Sequence, residues 1–192
     1  EHNFFVNKTN FYAFNALINN DSHLSFLYGP KKSGKSHLSK IWLKKYNAIE
    51  YNKNYKSLLN LHNNILIDNF TLYDQEKIFH IVNNCILNNS KILITSDIKI
   101  NSIDFKFNDL SSRLKTFSNL EINQPNDEML LAILTKLLVD KQFIINSNEI
   151  FEYILRRVDR SYQGINEIVK KLDILSLEKK RQLTIPLIKE IL

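Results

Sequence analysis

The chain has 192 residues, 44% of them hydrophobic and 24% charged, a balance that supports one folded domain with room for a small appendage and excludes a disordered chain. No apolar run is long enough to cross a bilayer and no signal peptide is visible, and the single cysteine, Cys85, cannot form an internal disulfide, so a reducing cytoplasm is the expected compartment. The net charge of +6 arises in a chain rich in Asn, Lys and Ile throughout, with basic residues gathering at Lys31–Lys32, Lys44–Lys45, Lys170–Lys171 and Lys179–Arg181; a weak non-specific DNA contact stays open, and a dedicated DNA surface is not required.

In chain order, apolar runs of strand length alternate with longer segments of helical period. Strands are expected at 24–28 (LSFLY), 47–51, 65–68 (ILID), 91–95 (KILIT) and 119–122, with helices at 36–46, 55–61, 74–89 and 108–115 between them. The near-continuous Ile and Leu content of three of these strands suits a parallel sheet buried on both faces. The fold class expected is therefore α/β, a parallel-sheet αβα sandwich.

After Pro125 the pattern changes. Asn126 or Asp127 caps an apolar helix, and further helices are expected at about 147–158, 161–180 and 184–192, the last opened by Thr184 with Pro186 in its first turn. The chain divides, on this reading, into an α/β domain over 1–124 and a small helical domain over 125–192. Cys85 falls in an apolar helical pattern, and the five histidines form no cluster at metal-ligand spacing.

The segment Gly29-Pro30-Lys31-Lys32-Ser33-Gly34-Lys35-Ser36 follows a strand and opens a helix, the context that a G-x-x-x-x-G-K-[ST] phosphate loop requires. Two of the three glycines in the chain occupy its two required positions, where the backbone must curl so that successive N–H groups form an anion nest at a helix N-terminus. Lys35 is expected to reach the β- and γ-phosphates and Ser36 to ligate Mg²⁺, with ATP or ADP as the nucleotide. Asp68, ending the run Ile65-Leu66-Ile67, is the expected second Mg²⁺ partner. The next residue is Asn69, whose amide cannot accept a proton as a general base does. A third strand ends in Thr95-Ser96-Asp97, polar residues placed to contact phosphate or water.

This order of motifs resembles the AAA+ family, in its DnaA/Hda branch. The resemblance rests on FFVNKTNFYAFNALI before the loop, GPKKSGKSHL, LIDNF, ITSD, NDLSSRL, DRSYQGINEI and KRQLTIPLIKEIL, and it covers essentially the whole chain. It implies an AAA+ P-loop NTPase fold with a helical lid, a base-side motif in which Phe5, Val6 and Asn10 lie near the adenine, and a loop that extends to His37. It also implies that Arg113 is an arginine given across a subunit interface, with Asp68 and Asp97 in the catalytic set. The lid position that holds an arginine in DnaA is Gln163, with Arg160 one turn earlier and Gly164 adjoining. No DNA-binding signature of the DnaA type lies within the sequence, which points to the shorter Hda type. The role implied is regulation of replication initiation, promoting hydrolysis of DnaA-bound ATP together with the sliding clamp. The clamp-binding peptide of that type is expected before Glu1, and a homodimer is an open alternative to a monomer. The competing reading is a self-contained AAA+ ATPase, DnaA-like or a loader subunit, and Asn69 and Gln163 weigh against it.

Overall fold

The computed structural model describes residues 4–20, 22–52, 62–145 and 147–192. The chain forms two compact units, Glu1–Asn123 and Gln124–Leu192. Each is an independent packing problem.

The first unit is built on five parallel strands: β1 (Leu24–Tyr28), β2 (Ile49–Glu50), β3 (Ile65–Ile67), β4 (Ile92–Ser96) and β5 (Ser118–Glu121). They lie in the order β2-β3-β4-β1-β5, so β4 is central and β1 is an interior strand that pairs with both β4 and β5. Around the sheet run α1 (Phe11–Phe14), which continues into a π turn over Asn15–Asn19, then α2 (Lys35–Lys45), α3 (Gln75–Leu87) and α4 (Asn108–Leu114). The helix expected at 55–61 lies outside the described residues.

The side-chain alternation of the strands sorts the core into two layers. Ile65, Ile67, Ile92, Ile94 and Phe26 face Ile78, Ile81, Val82 and Cys85 of α3 and Leu110 and Leu114 of α4. Leu27, Leu66, Leu93 and Leu120 face Leu38 and Trp42 of α2, with Ala13 and Leu17 beside them. Isoleucines thus fill one layer and leucines the other, which is why the strands read as unbroken apolar runs. Burial pushes the Cys85 thiol up to about 12, so this cysteine serves as a packing residue.

Boundaries shift at the polar ends of elements. β2 has two residues rather than the expected 47–51, because Asn47 at its approach takes a positive φ of 46°. β4 extends one residue further than expected, to Ser96, whose carbonyl accepts from Gly29 N (3.3 Å) and so leads the chain from β1 into the phosphate loop.

The second unit contains α5 (Asp127–Asp140), α6 (Glu149–Leu155), α7 (Tyr162–Lys179) and α8 (Ile185–Lys189). Asn126 is the cap of α5, its side chain accepting from Met129 N at 3.0 Å, and Ser161 caps α7 through Gly164 N at the same distance. Thr184 precedes α8, with Pro186 in the first turn. Met129, Ile133, Leu134, Ile154, Ile168, Leu172 and Leu187 are among its buried residues. Gly164 is explained by crowding: a Cβ there would lie 2.4 Å from the Asp159 carbonyl oxygen. No described helix is long and apolar enough to cross a membrane.

Candidate nucleotide site

The loop over Gly29–Ser36 connects the interior strand β1 to the N-terminus of α2. Gly34 takes φ 101°, a conformation costly for any side-chain-bearing residue, and Lys32 takes φ 63° in the same turn. Gly29 is required for a different reason. A Cβ there would fall 2.1 Å from the Ile122 carbonyl oxygen, so the loop begins pressed against the end of the strand region at 118–122. Gly34 O then accepts from His37 N and Leu38 N, which starts the helix immediately after the curl.

Lys35 is buried at 7% exposure although it is charged. Its ammonium donates to Gly29 O and Pro30 O, both at 2.8 Å, and pairs with Asp97 Oδ1 at 3.0 Å. Three oxygens therefore hold the charge at the centre of the loop. Lys31, Lys32 and Ser36 are exposed, while Ser33 is buried with its Oγ unpartnered among the described residues. An orphaned hydroxyl within a curl of backbone donors is chemically suited to an anion.

Asp68 follows β3 and Asp97 follows β4, which pair in parallel register, Ile67 opposite Ile94. Thr95, almost fully buried, links the two strand ends. Its Oγ1 donates to Asp68 Oδ1 at 2.6 Å and accepts from Asn69 N at 2.8 Å. Thr95 thus holds the carboxylate, whereas the strand-end reading offered it as a contact to phosphate. Asn69 takes φ 63°, and its Oδ1 accepts from Thr71 Oγ1 at 2.9 Å. The amide is in place beside Asp68, where a proton-accepting group would serve hydrolysis.

On the N-terminal side, Asn10 is buried and closes its own turn: its Nδ2 donates to Phe5 O (2.8 Å) and its Oδ1 accepts from Asn7 N (2.9 Å). Asn123 N donates to Thr9 O at 3.1 Å, fastening this turn beyond β5. Phe5 and Val6 are half-buried. The aromatic residue against the loop is Phe4, which the sequence reading passed over. It stacks on Phe14 (5.7 Å between centroids), meets His37 edge-on at 5.4 Å and approaches Gly34 closely. The adjacent phenylalanines gave no signal that separates one from the other.

Arg113 lies in the last turn of α4, exposed, with its guanidinium 5.7 Å from the centre of the Phe79 ring. Among the described residues it pairs with no carboxylate. In the second unit, the exposed Gln163 donates to Glu167 Oε1 at 2.6 Å, and Arg160 pairs with Asp127.

Residues 127–192 match the family of the Hda lid domain. Over the whole chain, the DnaA chromosomal replication initiator of Buchnera aphidicola subsp. Cinara cedri is 26% identical across 229 aligned residues. The chain is a DnaA-related AAA+ protein with an Hda-type lid. It spans about half the length of the curated relatives it matches, 52% of the Buchnera protein. Domain III of the Thermotoga maritima initiator DnaA superposes with a TM-score of 0.82 at 17% identity, covering 98% of this chain and 93% of that one. AMPPCP-bound DnaA from Aquifex aeolicus gives 0.76 at 20% identity, covering 91% of this chain and 65% of that one. The AAA+ fold is shared with these structures.

Proposed function

We propose that the chain is an adenine-nucleotide-binding regulator of replication initiation, of the Hda type, which acts with the sliding clamp to promote hydrolysis of ATP bound to DnaA. The observation that carries this reading is Arg113: an exposed guanidinium at the end of a short helix, resting on Phe79 and neutralised by no described carboxylate. Such a group, offered to a partner's nucleotide, stabilises the charge that builds on the transferring phosphoryl group. Asn69 supports the same reading from the other side, since the chain's own site has an amide where hydrolysis needs a base.

In the chain's own site the N–H groups of Gly29 to Ser36 and the Lys35 ammonium would hold the phosphates of ATP or ADP. Ser36 and Asp68 would hold Mg²⁺, and Phe5, Val6 and Asn10 would line the base side. Bound nucleotide supplies a negative charge that the buried Lys35 and the helix N-terminus complement. At the lid position that the resemblance assigns to nucleotide sensing, Gln163 would bring a neutral amide and no charge. The clamp would be engaged through a segment before Glu1, and a cytoplasmic location goes with this role.

The test is DnaA-ATP turnover with DNA-loaded clamp, comparing this protein and its Arg113→Ala variant, each carrying the preceding segment. Trans-acting arginines are worth roughly 10³–10⁵ in rate, so the variant is expected to lose about 10³-fold or more of the stimulation. Equal stimulation by both removes Arg113 from the mechanism. Robust turnover by the isolated protein, lost in Lys35→Ala, would instead make it a self-contained ATPase.

A further inference from the structure

β5 is an edge strand of the sheet, where polar side chains are ordinary. Its inner layer is completed by Leu120, but on the opposite face it carries Asn119 and Glu121, both exposed, beside the half-buried Tyr28 of β1. Asn119 lies in the wall of a cleft of about 390 Å³ lined by Tyr28, Lys99, Ile100, Asn101, Lys115 and Asn119. That volume falls within the roughly 300–1,000 Å³ of small-ligand sites.

The lining combines three kinds of group. Two ammonium groups, Lys99 and Lys115, come from different elements, the turn after β4 and the end of α4. Two carboxamides, Asn101 and Asn119, supply donors and acceptors; Asn119 Nδ2 already donates to Phe117 O at 3.1 Å, which leaves its carbonyl oxygen as an acceptor. The third is an aromatic face. Lys99 Nζ stands 5.7 Å over the Tyr28 ring and 3.6 Å from Glu121 Oε1, so the ammonium and the ring are already neighbours in the cleft. Burial first, and the Glu121 carboxylate second, raise the Tyr28 phenol above its ordinary range, so it stays a neutral donor.

We propose that this cleft is a second site for a nucleoside phosphate unit, separate from the phosphate loop: the phosphate on Lys99 and Lys115, the base against Tyr28, and its polar edge on Asn101 and Asn119. Two lysines beside an aromatic face are the complement of a phosphorylated base, and a bound phosphate would compete with Glu121 for the exposed Lys99. The unit has two sources, a free nucleotide or a residue of a single strand. The site does not depend on Arg113.

The experiment keeps the phosphate loop saturated with ADP and Mg²⁺ and measures anisotropy of a labelled oligothymidylate of about 15 nucleotides. Unlabelled AMP serves as competitor. The Lys99→Gln/Lys115→Gln variant is expected to bind the oligonucleotide at least tenfold more weakly, and its salt dependence should flatten by about 1.4 in log–log slope, 0.7 for each lost contact. Both lysines are exposed, so the fold is preserved, and Lys170→Gln/Lys171→Gln removes the same charge elsewhere. AMP that displaces the oligonucleotide identifies the free nucleotide as a ligand; oligonucleotide binding that AMP leaves intact identifies the single strand. Equal weakening by the Lys170/Lys171 variant, or no binding of either probe tighter than about 1 mM, overturns the proposal.

Discussion

Asn69 holds a left-handed conformation at φ 63°, its backbone N–H on the Thr95 hydroxyl and its side-chain oxygen on Thr71. Aspartate tolerates that conformation nearly as well as asparagine and keeps an acceptor oxygen for Thr71. Asn69→Asp therefore changes the chemistry of the position while leaving its geometry in place. A carboxylate beside Asp68 can take a proton from water, and a positioned base typically contributes about 10²–10⁴-fold. Steady-state phosphate release from the isolated protein should rise by about 10²-fold in Asn69→Asp. An unchanged rate would mean that residue 69 does not face the attacking water, and the argument from Asn69 to weak self-hydrolysis would fall with it.

At the level of elements, helix ends carry much of the specification. Asp74 caps α3, its Oδ1 accepting from Glu76 N (2.9 Å) and Lys77 N (3.3 Å), and α3 supplies Ile78, Ile81, Val82 and Cys85 to the core. Asp74→Ala should lower stability by about 1 kcal/mol, with Asp74→Ser recovering most of the loss. Denaturant unfolding followed through Trp42, the only tryptophan and fully buried, reads this directly. If Asp74→Ala and wild type unfold together, the capping hydrogen bonds contribute nothing to stability.

The same elements show what a sequence can and cannot say. β3 and β4 were legible because Ile and Leu alternate on two buried faces, and the phosphate loop because Gly29 and Gly34 sit where only glycine serves. Strands with polar ends, such as β2, were drawn too long because pattern alone does not register a positive φ at Asn47. The N-terminal π turn mixes Asn, Ala, Leu and Ile without a period that marks it. Contacts between distant positions were out of reach: Phe4 on His37, Thr95 on Asp68 and Tyr28 beside Lys99 pair residues whose proximity only the sheet order creates.

For the molecule as a whole, the loop that would hold nucleotide is also a structural joint. Lys35 donates to Gly29 O and Pro30 O and pairs with Asp97, and so ties the ends of β1 and β4 to the start of α2. Removing it leaves Asp97 and two carbonyls without their cation, so Lys35→Ala lowers stability with no ligand present. A lower midpoint alone therefore says nothing about nucleotide. The informative quantity is the response to ligand. A nucleotide bound only by the folded state adds about 2.7 kcal/mol at a hundredfold excess over its Kd. Wild-type protein should accordingly show a Trp42 unfolding midpoint that rises steadily with ADP concentration in the presence of Mg²⁺. Trp42 lies on α2, the helix that the loop opens, so it reports the unit concerned. In Lys35→Ala the midpoint should start lower and stay flat across the same titration. A midpoint that climbs equally in both proteins would mean that Lys35 is only a structural ammonium and that the charge complementarity of the loop is satisfied from within.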